Sequence, residues 1–124
     1  MILENEILRL LPADPALAPR AAAYYIRNRA FLRPFEPERP PAFFTPEAQR
    51  GILLREMLDA QSGRAYCFYI EPKCAPALLI GGIGLNNVVW GAFCSAFLGY
   101  KLDAAYTGQG YMTEAVRLVA EYAF

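Results

Sequence analysis

Five prolines between Arg33 and Pro46 constrain the fold of this chain more than any other feature of its sequence. They stand at positions 34, 37, 40, 41 and 46, and proline fits neither a helix interior nor a central strand because it lacks an amide hydrogen. Residues 33–46 are therefore predicted to form a rigid loop. Phe35, Phe43 and Phe44 are too apolar to favour solvent, so we expect this loop to lie against one domain rather than to link two.

Two predicted helices flank the loop, and each has a recognisable start. Asp14-Pro15 offers an N-cap followed by proline at the first helical position, and apolar residues at three-to-four spacing extend this helix to about Phe31. Thr45-Pro46-Glu47 has the same form, with an acidic residue that complements the helix dipole. The second helix is predicted to end at Ser62-Gly63.

The remaining patterns predict strands and one last helix. A short strand is expected at residues 5–11, and three more are expected at residues 65–71, 78–89 and 95–102, where they form an antiparallel meander. The last helix has one apolar face, formed by Met112, Ala115, Val116, Val119, Ala120 and Ala123. The order strand, helix, helix, three strands, helix predicts a single α/β domain over residues 1–124. Nothing in the sequence ends the last helix before Phe124, so we expect the domain to be incomplete at its C-terminus.

Composition and charge exclude several classes of function. The formal net charge is 0 and the basic residues are scattered, which argues against nucleic acid or an anionic membrane as partner. Cys67, Cys74 and Cys94 lack metal-ligand spacing and the chain has no histidine, so no metal is expected. The N-terminus lacks the basic region of a signal peptide and no apolar run is long enough to span a membrane, so we expect a cytoplasmic protein.

The segment Gly108-Gln109-Gly110 lies between the last predicted strand and the last helix. A helix start has unpaired amides and a partial positive charge, and glycines allow a phosphate to approach them closely. Taken alone, the same two glycines are explained more simply by a plain tight turn. The spacing excludes the dinucleotide fingerprint and the P-loop, because the third glycine of the first and the lysine of the second are missing.

The segment around these glycines resembles motif A of the GCN5-related N-acetyltransferases, known as GNAT enzymes. Thr107 to Met112 corresponds to the family's loop, although Thr107 replaces a glutamine or arginine and Met112 replaces a small residue. The longer run LGYKLDAAYTGQGYMTEAV, together with residues 28–37 and Ser95-Ala96, is similar to the subgroup that acetylates the N-termini of ribosomal proteins. The resemblance covers essentially the whole chain.

That resemblance implies a mixed sheet and a site for acetyl-CoA as co-substrate. The backbone at Tyr100, Lys101 and Leu102 would pair with the pantetheine arm, and an amide near Tyr100 or Leu102 would polarise the thioester carbonyl. The pyrophosphate would bind the loop that consists of Thr107, Gly108, Gln109, Gly110, Tyr111, Met112 and Thr113. The substrate amine would attack the acetyl carbon directly, so no catalytic side chain is assigned.

The acceptor implied by the resemblance is a primary amine, expected to be a protein N-terminus, and Phe35, Asn86 and Trp90 are candidate contacts for it. Asn86 and its neighbour Asn87 are equally compatible with a β-bulge. Trp90 is also compatible with a place in the hydrophobic core. Two alternatives for the protein remain open. One is an incomplete GNAT chain that acts as a binding module or pairs as a homodimer through an exposed sheet edge, and the other is an acetyltransferase for small-molecule amines.

Two charged residues near the motif have both a functional and a structural interpretation. Glu114 could act as a general base, but its place in the first helical turn is explained by the helix dipole. Lys101 is most simply a solvated strand residue.

The aromatic residues Tyr24, Tyr25, Phe43 and Phe44 are compatible with packing alone.

Overall fold

A computed structural model describes residues 2–32, 34, 39–89 and 95–123 of the chain. Within these ranges it has five strands: β1 (Leu3–Glu4), β2 (Leu8–Pro12), β3 (Tyr66–Pro72), β4 (Gly81–Val89) and β5 (Ser95–Leu102). The helices are α1 (Ala18–Arg27), α2 (Arg29–Leu32), α3 (Pro46–Gln61) and α4 (Tyr111–Ala123), with short 3-10 helices at Pro15–Leu17, Pro41–Phe44 and Ala104–Tyr106. The predicted α/β fold class and the order of its main elements are confirmed.

The strands form one sheet in which spatial order and chain order are the same, from β1 to β5. Every pairing between neighbouring described strands is antiparallel. The expected meander is therefore present as β3, β4 and β5. One extra residue in β4 shifts the register between Asn86 and Val89, where β4 pairs with β5, which is the geometry of a β-bulge.

Alternating side chains give the sheet two buried faces. One face packs against Ala115 and Val119 of α4. The sheet residues buried on this face are Leu8, Leu10, Phe68, Ile70, Ile83 and Leu85. The other face packs against α1 and α3 through residues that include Ala21, Leu53 and Tyr69. Leu53 has no exposed surface, and full burial of a leucine side chain is worth about 1.5–3 kcal/mol.

Both predicted helix starts are capped as expected. The Asp14 carboxylate accepts a hydrogen bond from the Ala16 amide at 2.8 Å, and the Thr45 hydroxyl accepts one from the Ala48 amide at 3.3 Å. Asp14 caps the 3-10 turn that leads into α1 rather than α1 itself. The sequence therefore located both helix starts to within a turn.

The first predicted helix is interrupted, and this part of the prediction was wrong. α1 ends at Arg27, and α2 begins only after Asn28. The Asn28 side chain is buried, donates to the Tyr24 carbonyl at 3.0 Å and accepts from the Ala104 amide at 2.9 Å. A side chain that bonds backbone groups in this way competes with helical geometry, so the break occurs at this residue.

One further boundary and the burial of one residue differ from the prediction. The carboxamide oxygen of Asn5 accepts hydrogen bonds from the amides of Ile7 and Leu8, at 2.8 and 3.0 Å, and forms an Asx turn. The strand expected at residues 5–11 therefore begins at Leu8, and residues before the turn form β1. Ala120 was expected on the apolar face of the last helix, but it is exposed.

The described ranges lack two other kinds of feature. None of the helices formed by these residues is long and apolar enough to cross a membrane. Over the same ranges, no three or more histidine, cysteine or acidic side chains are grouped so that they could hold a metal ion.

Candidate functional site

The predicted glycine loop forms a left-handed turn directly before α4. Gly108 and Gly110 have φ angles of +75° and +84°, values that glycine adopts without strain and other residues avoid. A Cβ atom added to either residue would meet no described atom within 4 Å. The backbone conformation, and not crowding, therefore requires glycine here, and the space beside the loop is open to a ligand.

The first turn of α4 supplies amides that the helix itself does not use. Glu114 is the first residue whose amide bonds inside the helix, to the Gly110 carbonyl at 3.1 Å. The amides of Tyr111, Met112 and Thr113 precede it and have no acceptor within the helix. They carry the partial positive charge of the helix start, which favours binding of an anionic group.

Two polar side chains of the loop form hydrogen bonds with the 3-10 helix that precedes it. The Thr107 hydroxyl donates to the Ala104 carbonyl at 3.0 Å, and the Gln109 carboxamide donates to the Ala105 carbonyl at 2.9 Å. Both bonds fasten the glycine turn to the 3-10 helix before it. Thr107 and Gln109 therefore offer backbone groups, rather than these side-chain donors, to any ligand of the loop.

The Tyr111 side chain is also engaged by the protein. Its ring packs edge-on against Tyr106 with centroids 5.5 Å apart, and its hydroxyl lies 3.5 Å from the Cys74 sulfur. This contact joins the start of α4 to the turn between β3 and β4. The Tyr111 side chain, like those of Thr107 and Gln109, thus helps to fix the position of the loop.

β5 lies at the edge of the sheet, and none of the other described strands pairs with its outer side. The Asp103 amide donates to the Ile80 carbonyl, so the alternation of an antiparallel ladder also directs the Lys101 amide and carbonyl toward β4. The amides and carbonyls of Tyr100 and Leu102 consequently point outward. These are the two positions at which the resemblance implied an amide for the thioester.

A cleft of about 420 Å³ joins this strand edge to the glycine loop. The predicted residues Tyr100, Lys101, Leu102, Thr107, Gly108 and Met112 line it together with Phe31 and Leu32. Gln109, Gly110, Tyr111 and Thr113 do not line the cleft, although they adjoin it in the chain. Phe31 and Leu32 had not been predicted. Leu32 is buried and Phe31 is 40% exposed, so α2 presents an apolar wall to the cleft.

A polar anchor holds the α1–α2 segment against this cleft. Arg27 donates to the Asp103 carboxylate at 2.7 Å and to the Leu79 carbonyl at 2.9 Å. Asn28 next to it accepts from the Ala104 amide. These bonds fix α2 relative to the end of β5. Sequence reasoning missed all of them, because the partners are 76 or 52 residues apart.

The environment of Asp103 favours its ionised form. Burial alone would raise the pKa of this carboxyl, but hydrogen bonds from the Ala105 amide, Asn28 and Arg27, together with the charge of Arg27, outweigh burial and hold the pKa below its usual value. The carboxylate therefore stays charged over the whole neutral range.

A second cavity, of about 320 Å³, lies on the sheet face that carries α3. Its lining includes Glu56, Cys67, Tyr69, Asn86 and three glycines of β4 and β5. Tyr100 and Lys101 line both this cavity and the cleft. Of the three predicted acceptor contacts, Asn86 lies here and is exposed, whereas Phe35 and Trp90 lie outside the described residues.

Lys101 differs from the solvated residue that was expected. Its ammonium group is hydrogen-bonded to the Tyr25 hydroxyl and lies 4.6 Å from the centroid of that ring. Tyr25 in turn packs edge-on against Phe43, with centroids 4.8 Å apart. The aromatic residues of α1 and the proline-rich loop thus pack as predicted, and they also hold a strand cation.

Glu114 is bound in a way that supports its structural interpretation. Its carboxylate accepts a hydrogen bond from Asn5 at 3.2 Å and from Arg117 at 3.4 Å. It therefore ties the first turn of α4 to the N-terminal hairpin.

The family model described as "Acetyltransferase (GNAT) domain" matches residues 7–124. This chain belongs to the GNAT family. A GNAT relative, the probable N-acetyltransferase YjcK of Bacillus subtilis, is 33% identical over 123 residues, which are 99% of this chain and 67% of that protein. The predicted family is therefore confirmed by sequence.

Solved GNAT structures share this fold. The ribosomal-protein-S5-alanine acetyltransferase of Vibrio fischeri is 31% identical with a TM-score of 0.88, and the match covers 98% of this chain and 66% of that one. The ribosomal L7/L12 α-N-protein acetyltransferase RimL, solved in complex with coenzyme A, is 23% identical with a TM-score of 0.82 over 98% and 67% of the two chains. The present GNAT chain thus spans about two thirds of the length of these three relatives.

Proposed function

We propose that this chain carries the acetyl-CoA site of an N-acetyltransferase that acts on a primary amine, namely the N-terminus of a ribosomal protein. The observation that carries the proposal is the cleft that joins the outward-facing backbone of β5 to the start of α4. A strand edge suits an extended amide-containing chain, and a helix start suits a diphosphate. Both occur in one cleft, in the order that the resemblance implied.

The residues present fit this co-substrate. Of the three amides that α4 does not use, that of Met112 belongs to a residue that lines the cleft, and those of Tyr111 and Thr113 flank it in the chain. The left-handed glycines before them add no side chains at this position. The outward-facing groups of Tyr100 and Leu102 would pair with the amides of the pantetheine arm. Acetyl-CoA, when bound, supplies the activated acetyl group. An outward β5 amide would donate a hydrogen bond to the acyl oxygen.

The relatives support both halves of the proposal. The RimL structure contains coenzyme A, and the Vibrio fischeri protein is named for an alanine of ribosomal protein S5. An N-terminal amine reacts as the free base, so its ammonium form must lose a proton before the acetyl group is transferred. Because the proposed acceptor is a ribosomal protein, the proposed location is the cytoplasm.

Calorimetric titration with acetyl-CoA tests the cofactor half. Wild-type protein is expected to bind, and Gly110→Val is expected to lose affinity by at least about tenfold, because a β-branched residue is strained at a φ of +84° and would crowd the phosphate position. Gly51→Val is the matched control. Gly51 lies in α3 with no described atom within 4 Å of its Cβ position, so this change should leave affinity intact.

Equal heats for the wild type and Gly110→Val would refute the phosphate site. The acceptor is tested separately, by release of the coenzyme A thiol with peptides that begin with alanine or serine and with small amines such as spermidine. Faster release with the peptides supports the ribosomal-type acceptor. Faster release with spermidine would instead favour the small-molecule alternative, and dimers without acetyl-CoA affinity would favour the binding-module alternative.

A further inference from the structure

The cavity beside α3 has three glycines in its lining. They are Gly82 and Gly84 of β4 and Gly99 of β5, and we call this cavity the glycine hollow. A Cβ atom on Gly84 would lie 3.3 Å from the Cys67 sulfur, and one on Gly99 would lie 3.6 Å from the Asn86 side-chain nitrogen. Any larger residue at these positions would fill the hollow.

A carboxylate from α3 lines this hollow. Glu56 accepts a hydrogen bond from the Tyr69 hydroxyl at 2.6 Å, and Tyr69 is 8% exposed. No lysine or arginine of the described ranges forms an ion pair with Glu56. Lys101 lines the same hollow, but its ammonium is bonded to Tyr25. Glu56 therefore has no direct ion-pair partner among the described residues, although the charge of Lys101 also acts on groups that line the hollow.

The groups that face Glu56 from β3 are neutral donors. Burial, followed by the charge of Glu56, raises the pKa of the Cys67 thiol to about 12, and the same two causes raise the pKa of Tyr69. Both groups thus keep their protons at neutral pH. They orient the carboxylate without cancelling its charge.

The position of the hollow relates it to the acetyl-CoA cleft. Tyr100 and Lys101 of β5 line both spaces, so a group held in the hollow lies next to the strand along which the thioester is proposed to bind. We infer that the glycine hollow is the subsite for the acceptor's primary ammonium, with Glu56 as its counter-ion. This inference rests on the proposed function and adds to it the place and the charge of the acceptor.

The test is a nuclear magnetic resonance titration of the chain with a pentapeptide amide that begins with alanine, used with a free or an acetylated N-terminus. The free-amine peptide is expected to shift the amides of Gly82, Gly84 and Gly99 and to bind about tenfold more tightly than the acetylated one, because only it can form a charge-assisted hydrogen bond with Glu56. Glu56→Gln should abolish that difference. Glu47→Gln, an equal change of charge at an exposed site on the same helix, should preserve it.

Gly99→Ala is a second variant that keeps the carboxylate. Its Cβ would enter the hollow at an ordinary contact distance, so the free-amine peptide should bind more weakly while Glu56 remains. Equal binding of the two peptides to wild type, absence of binding, or unchanged discrimination in Glu56→Gln would overturn the inference. Acetyl-CoA titrations of the same proteins report on the cleft separately, so an acetyl-CoA site without ammonium recognition would contradict only this inference.

Discussion

The Arg27–Asp103 pair is expected to contribute more to stability than the other Asp–Arg contact described in this chain. Asp103 is 2% exposed, and it accepts from Arg27 at 2.7 Å and from the Ala105 amide at 2.9 Å. Asp103→Asn replaces one of these oxygens by an NH₂ group that faces a donor. The loss of one charge-assisted bond at a buried site costs about 2–3 kcal/mol. For a domain of this size, that corresponds to a fall in Tm of about 10 °C.

Asp59→Asn is the matched control, because the Asp59–Arg64 contact is 3.9 Å long and the Arg64 side chain is 74% exposed. A surface pair of this kind is worth about 0.5 kcal/mol or less. Thermal unfolding followed by circular dichroism measures both variants against the wild type. Similar losses for Asp103→Asn and Asp59→Asn would refute the assignment of Asp103 as the anchor of the α1–α2 segment.

The pH dependence supplies an independent check of the same pair. Because the pKa of Asp103 is lower in the folded state, its charge stabilises the protein above its unfolded pKa of about 4. That contribution is lost as the pH falls through the lower folded value. The stability difference between the wild type and Asp103→Asn should therefore be full at neutral pH and shrink in acid. A difference that stays constant into strong acid would contradict the stated cause of the shift.

Two further predictions concern buried groups. Iodoacetamide at pH 8 should alkylate exposed Cys74 and spare Cys67, whose pKa of about 12 leaves almost no thiolate, and peptide mapping by mass spectrometry that found both modified at similar rates would contradict this. Leu53→Ala should cost about 2–5 kcal/mol in urea unfolding because Leu53 has no exposed surface, whereas Leu54→Ala, at a residue that is 44% exposed, should cost little. Equal costs would show that α3 does not pack as described.

Local patterns in the sequence were sufficient for most of the fold. The caps at Asp14 and Thr45 and the strand–loop–helix segment that ends in α4 involve residues within a few positions of one another, so periodicity and turn chemistry could locate them. The cleft was predictable in outline for the same reason. Its backbone parts, β5 and the glycine loop, are adjacent in the chain.

Contacts between distant residues could not be found in this way. Arg27 meets Asp103, and Lys101 meets Tyr25, each across 76 residues. No local pattern marks such partners. The hollow offered a partial signal, because alternate glycines at positions 82 and 84 predict a face without side chains. Which carboxylate lines the hollow depends on how α3 packs across the sheet, and no local pattern in the sequence predicts that packing.

The neighbour order of the sheet also bears on how the chain assembles. β3, β4 and β5 follow one another directly and pair with their nearest neighbours in sequence, so they form a unit of low contact order. β2 reaches β3 only across residues 13–65, which include α1, α2 and α3. The entropic penalty of ring closure is therefore concentrated in a single pairing, and it grows only logarithmically with the number of residues enclosed. A change in the length of the turn between α3 and β3 should consequently have little thermodynamic effect on this closure, whereas a change within α1 or α3 would alter the packing on the sheet.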